Sequence, residues 1–305
     1  MTTHAPYAIG HAPSHTQHHA WRTASNSAAH LLPHLHLALQ KNPHLKLLDV
    51  GAGPGTISAS LAQHLLPSGH VVATEIADGI LARAKTYAEE QGLGPDNISF
   101  QRASVYELPF ADGEFDIVHA HQVLCHLDAP VDAMREMVRV CKPGGLVALR
   151  EADMRTWCVW PEIEGVAAFQ ELSAGVLVAN GGQEKGGRML VGWVMAAGVE
   201  RGDIEAGFGT WCFSDPEERR MWSESCLPFS LLFSSCCVRI AGMLTVAGEA
   251  MIARLRTGQM RTKGIELGIT TEEGIEEMIK GWQKWTETGD AMFGIMSGEV
   301  IVKKP

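Results

Sequence analysis

Leu47-Leu48-Asp49-Val50-Gly51-Ala52-Gly53-Pro54-Gly55-Thr56 decides the fold. An apolar run rich in branched residues reads as a buried strand, here Leu45 to Val50. It enters a glycine-rich turn and then a helical stretch, Gly55 to Leu66. Working outward, the alternation continues. Val71 to Glu75 reads as a strand and Gly79 to Gln91 as a helix. Ile98 to Arg102 and Phe115 to Ala120 are strands, with a turn at Asp112-Gly113 between them. Val131 to Val140 is a helix, Lys142-Pro143-Gly144-Gly145 a turn, and Leu146 to Glu151 a strand. Five strands alternating with helices predict a parallel, doubly wound α/β sheet with right-handed crossovers.

On either side of this core the pattern changes. Upstream, Met1 to Ala20 is polar and rich in His and Pro, without a steady period. Ser25 is placed to cap a helix through Leu32, followed by a second from Pro33 to Lys41. Downstream of Ala152, helices are expected over Pro161 to Asn180, Arg188 to Ala197 and most of Pro216 to Trp285. A strand is expected over Ile204 to Phe213, and a closing strand over Met292 to Val302. The resulting division is 1–44 as an arm with capping helices, 45–152 as the ligand-binding core, and 153–305 as a helical lid with closing strands.

The chemistry starts at the glycines. A turn without Cβ atoms lets a ligand approach the backbone closely. The spacing is GxGxG, not the GxGxxG of dinucleotide sites, and Pro54 removes an N–H that a pyrophosphate would want. Glu75 ends the second strand about 20 residues on, where a carboxylate can accept from both hydroxyls of a ribose. A nucleoside without phosphates fits this combination better than NAD does.

These pieces, with Val71-Val72-Ala73-Thr74-Glu75, Tyr106-Glu107-Leu108-Pro109-Phe110, Phe115-Asp116-Ile117-Val118 and Arg139-Val140-Cys141-Lys142-Pro143-Gly144-Gly145, stand in one order. That order resembles the class I S-adenosylmethionine-dependent methyltransferases, in the branch of the ubiquinone/menaquinone-biosynthesis and secondary-metabolite enzymes. The resemblance covers Leu45 to Ala152 well and the rest in outline. It implies a Rossmann-like sheet, mostly parallel with an antiparallel closing strand, plus an inserted helical lid. The implied cofactor is S-adenosylmethionine and the implied partner a small-molecule methyl acceptor.

By the same resemblance, Gly51, Ala52 and Gly53 line the methionine moiety. Asp49 holds the turn or the ligand's amino group. Glu75 takes the ribose, and Ile76, Ser104 and Val105 border the adenine. Ser104 stands where the family often has an Asp. His121 and Gln122 lie near the sulfonium, and Arg22 is placed to pair with the methionine carboxylate. His126 and His121 are the candidate general bases, because imidazole ordinarily titrates near neutrality. The reading that both only pack or orient the cofactor stands beside that one. Asp128 reads as a helix-initiating residue. Trp157, Trp160, Trp211, Trp222, Phe229 and Phe233 are candidates for an acceptor pocket, or simply core.

Composition narrows the classes. The formal net charge of −10 and the absence of a basic stripe argue against a partner held through phosphates. The seven cysteines form no CxxC pair and read as reduced thiols, which implies a cytoplasmic address. The apolar stretch Cys226 to Val246 is interrupted by Arg239 and serines, so a buried helix is expected there and no membrane span. No metal is expected, since His15, His18 and His19 lack Cys or carboxylate partners at ligand spacing. All fourteen histidines lie at or before His126, whereas seven of the eight tryptophans lie after it. The two halves are therefore expected to do different jobs. The remaining alternative is a protein of this fold that binds the cofactor without methylating.

Overall fold

The computed structural model describes residues 21–223 and 251–305, with side chains up to 220 and from 251. β1 (Lys46–Val50) is buried on both faces, as its unbroken apolar run requires. Leu48 and Val50 pack into one core and Leu47 into the other, following the two-residue period of a strand. β1 pairs in parallel with β2 (His70–Glu75) on one side and β4 (Phe115–His121) on the other. β3 (Ile98–Arg102) extends the sheet beyond β2, and β5 (Cys141–Ala152) beyond β4. The parallel order is therefore β3-β2-β1-β4-β5.

The sheet then closes with a reversal. β8 (Met292–Lys303) runs antiparallel to β5 through Leu146↔Lys303 to Ala152↔Ser297. Its first residues pair with β6 (Cys158–Trp160), and its other edge pairs with β7 (Ile204–Phe213). Both pairings are antiparallel, so β8 alone runs against its neighbours. The fold class expected from sequence stands. β6 was not expected, because three residues are too few to show a period.

Helices cover both faces. α1 (Ala24–Ser27), α2 (Leu32–Lys41), α3 (Thr56–Leu65) and α4 (Asp78–Glu90) bury Ala24, Leu35, Leu61 and Ala88 against one face. α5 (Pro130–Val140) and α7 (Gly186–Ala196) bury Met134, Met137 and Val194 against the other. α6 (Glu164–Ala179) lies between them in sequence but packs elsewhere. With α9 (Met251–Thr257), α10 (Gln259–Glu266) and α11 (Glu272–Glu287) it forms a third core around Phe169, Leu255, Trp282 and Phe293. α8 (Pro216–Ser223) follows β7.

Three local expectations change. Thr23, not Ser25, precedes the first helix, and Asn26 Oδ1 accepts from the Thr23 N–H at 2.8 Å. The expected turn at 142–145 is a loop-out within β5, where the register with β4 jumps from Phe115↔Cys141 to Ile117↔Leu146. α7 packs on the sheet, so only part of the later half forms a separate helical layer. The helix expected over Cys226 to Val246 lies outside the described residues. Among the described residues no helix is long and apolar enough to cross a membrane.

Candidate functional site

A cleft of about 360 Å³ opens at the carboxyl ends of β1, β2 and β4, where doubly wound sheets bind ligands. Each of the eleven cofactor positions named from sequence lies on its wall, from Arg22 to Gln122, and so does His126.

The turn after β1 is held by two backbone bonds, Ala52 N–H to Thr74 O at 2.8 Å and Gly55 N–H to Ala52 O at 3.0 Å. Gly51 (φ 68°) and Gly53 (φ 55°) adopt left-handed backbone that side chains disfavour. A Cβ at Gly51 would sit 2.6 Å from Val123 Cγ2. At Gly53 no heavy atom lies within 4 Å of that position. One glycine thus admits a neighbouring loop, and the other leaves open space over the turn.

Glu75 is tied down by backbone donors. Its Oε2 accepts from Gly53 N–H at 3.2 Å, and its Oε1 from Ile76 and Ala77 N–H at 2.8 and 3.2 Å. Three donors leave carboxylate lone pairs unused. Asp49 is only 2% exposed and serves the interior. One oxygen meets His119 Nδ1 at 2.7 Å and the other accepts from Ser58 Oγ. It thereby ties β1 to β4 and α3. Ser104 Oγ accepts from the Tyr106 N–H at 3.3 Å, and the Tyr106 hydroxyl donates to Asp128 at 2.6 Å. Asp128 therefore braces the cleft's outer loop, whereas helix α5 starts at Pro130 with Ala129 before it.

The far wall follows β4. Gln122 has φ 53° and is the one described non-glycine residue with positive φ. Such backbone persists only where its surroundings hold it. Here the Gln122 N–H donates to Arg150 O at 2.8 Å. Next door, the fully buried Glu151 takes the N–H groups of Val123 and Leu124 on one oxygen at 2.9 and 2.8 Å. Its other oxygen takes the Cys125 N–H at 3.2 Å. Burial raises the Glu151 pKa, and these backbone donors pull against it. Sequence reasoning missed this anchor. Its signal was an acid at the carboxyl end of a central strand, the same signal that singled out Glu75.

Arg22 is 6% exposed, with its guanidinium 5.0 Å from the Trp211 ring centroid. Arg150 approaches the same ring at 4.3 Å, and His121 at 5.5 Å. Trp211 thus packs behind the cleft and lines neither described cavity. His126 is part of the wall shared with a second cavity of about 90 Å³. Burial, helped by the nearby charges of Arg22 and Arg254, lowers its pKa to about 4. His126 is therefore neutral at pH 7 and a weak base. That removes the titration argument for it as a general base.

Of the expected acceptor aromatics, Trp157 lines the second cavity. Trp160 is 55% exposed and donates to Asp290 at 3.1 Å. The side chains of Trp222, Phe229 and Phe233, and residues His15 to His19, lie outside the description. Among the described residues no group of three His, Cys, Asp or Glu side chains is arranged to hold a metal ion.

Comparison with known proteins converges on one chemistry. Residues 48–149 match a family model described as a methyltransferase domain. An uncharacterized methyltransferase of Schizosaccharomyces pombe is 32% identical over 291 residues, covering 94% of this chain and 92% of the relative. A protein of Aspergillus luteorubrus named as a probable methyltransferase, ltbC, is 29% identical over 98% of this chain and 97% of its own. A ubiquinone/menaquinone biosynthesis C-methyltransferase of Ectopseudomonas mendocina is 33% identical over 109 residues, 36% of this chain and 42% of the relative. With a likeness spanning nearly its whole length, and the cleft built on the segment that the family model matches, this chain belongs to the class I S-adenosylmethionine-dependent methyltransferases.

Proposed function

We propose that this enzyme methylates a small molecule, with the cofactor in the larger cleft and the acceptor entering from the side of His126. The observation that carries this reading is the junction of the two cavities at a single wall residue. The larger presents Arg22, Glu75 and Ser104 along a wall that is otherwise largely apolar, where a nucleoside and an amino acid would lie. The other is lined mainly by apolar side chains.

The cleft fits S-adenosylmethionine on two observations. Open space stands over Gly53, and the Glu75 carboxylate keeps acceptor capacity beyond its three backbone donors. When bound, this cofactor supplies an electrophilic methyl group on a sulfonium. Gly51, Ala52 and Gly53 would border its methionine part, with Arg22 beside the carboxylate. Glu75 would take the ribose, with Ile76, Ser104 and Val105 around the adenine. His121 and Gln122 would face the reacting end. Asp49 acts at one remove, by fixing His119 and the first turn of α3. The chain's own contribution is alignment and exclusion of water. With its pKa near 4, His126 orients the acceptor and does not take its proton.

The acidic net charge favours a small-molecule acceptor over a nucleic acid. The four described cysteines are free thiols, which suits a reducing, cytoplasmic setting. Calorimetry with S-adenosylmethionine and S-adenosylhomocysteine tests the cofactor site. A screen with methyl-labelled cofactor over phenols, acids, amines, thiols and enolates tests the reaction. Binding without transfer to any of them would make the protein a non-methylating member of the fold, and absence of binding would defeat the proposal entirely.

A further inference from the structure

Trp211 is the ring on which the two ends of the chain meet. It stands in β7 opposite Ile295 of β8 and is 5% exposed. Its indole N–H donates to the Asn26 carbonyl oxygen of α1 at 2.6 Å. Asn26 in turn fixes the chain on both sides of Arg22. Its Nδ2 donates to Trp21 O at 2.9 Å, and its Oδ1 accepts from the Thr23 N–H at 2.8 Å. The Trp21 ring meets Trp211 edge-on, with centroids 5.1 Å apart. One asparagine thus indexes the backbone of 21–23 to Trp211, and the same indole holds the Arg22 guanidinium 5.0 Å from its centroid.

An aromatic face attracts a cation through the ring quadrupole, most strongly for indole and where water is excluded. The second cation on this ring, Arg150 at 4.3 Å, donates from Nε to Glu299 Oε1 at 2.9 Å, so its charge is matched within the sheet. Arg22 belongs to the wall of the larger cleft, together with Gly51 and Gly53. A long side chain ordinarily gives up rotamer freedom when it takes an anion, and one already held in place gives up less. A guanidinium carries five N–H donors, so contacts to other groups leave it able to receive a carboxylate.

We infer that Trp211 is a positioning residue for the cofactor, holding the Arg22 guanidinium ready for the carboxylate of the methionine part. This rests on the methyltransferase reading of the larger cleft. Trp211 itself meets no ligand, since it lines neither described cavity. Its effect passes through Arg22. The consequence is a division of labour along the chain. Residues 48–149 hold the nucleoside half of the cofactor, whereas β7, far outside that segment, supports the group that receives the other end.

The test is calorimetric titration of the full chain with S-adenosylhomocysteine and with its carboxamide, which lacks only the carboxylate charge. The wild type is expected to prefer the acid by about ten-fold or more. Trp211→Leu should cut that preference to about three-fold or less, and Trp211→Phe, which keeps a ring face, should fall between. In an Arg22→Met background, Trp211→Leu should change S-adenosylhomocysteine affinity by less than about two-fold. A merely structural tryptophan would weaken both ligands alike and leave the preference at its wild-type value. That result, or an independent loss in the Arg22→Met background, would overturn the inference. The wild-type comparison stands even if a variant misfolds, and equal binding of acid and carboxamide there would overturn it too. The first titration separates the two ideas. Without S-adenosylhomocysteine binding the methyltransferase reading of the cleft falls, whereas binding without preference for the acid sinks only the positioning role.

Discussion

At the scale of single residues, the cleft depends on two side-chain decisions. Glu75 is fixed by three backbone donors before any ligand arrives, so little is lost in ordering it. Removing a charged hydrogen-bond partner costs about 1.5–3 kcal/mol. Glu75→Ala should therefore weaken S-adenosylhomocysteine binding by about ten- to a hundred-fold, read by calorimetry. Unchanged affinity would mean that the carboxylate serves only the turn. Gly51 poses a steric question. A methyl group there meets Val123 at 2.6 Å and forces a positive φ on an L-residue. Gly51→Ala should lower stability by about 1–3 kcal/mol in urea unfolding, through strain and displacement of the neighbouring loop.

At the scale of elements, the loop leaving β4 is the joint between the cleft and the second cavity. Its shape comes from a contact that spans two strands. Glu151 on β5 receives three consecutive N–H groups, and Gln122 is held in left-handed backbone beside them. Glu151→Ala leaves those donors buried without partners. Stability should fall by about 3 kcal/mol in denaturant unfolding, and amide exchange at 123–125 should rise far more than in β1. Equal loss of protection across the sheet would show a general role for Glu151 instead. Elements whose signal is local were legible beforehand. β1 was read from its apolar run, β3 and β7 were expected over the residues they occupy, and the glycine turn was read from its own residues. The loop-out in β5 and the three-residue β6 were not, because both are set by pairing with distant strands.

At the scale of the whole molecule, buried neutral histidines link stability to pH. Burial, then the nearby His119, Arg150 and His34, lowers the His30 pKa to about 3, and His126 sits at about 4. Both values lie below the ordinary value near 6.5. As pH falls below about 6.5, the unfolded chain takes up protons that the folded chain refuses. Stability is therefore full above that point. It should decline down to about pH 4 by up to about 1.4 kcal/mol per pH unit for each histidine. His30→Gln should flatten the slope of unfolding free energy between pH 6.5 and 4. A slope equal to that of the parent would exclude His30 as a source.

Local chemistry in the chain determined the architecture and the ligand end of the site. An apolar run, three glycines and an acid at a strand's end act through their immediate neighbours, so their meaning is written where they stand. Tertiary structure decided what distant residues become to one another. It set Glu151 beneath the loop that leaves β4, turned Asp49 inward to His119, put Trp211 behind the cleft between two arginines, and brought Arg254 to the cavity that His126 borders. Those outcomes depend on burial and on the fields of charges far apart in sequence, and both arise only when the sheet and the helical layer close together.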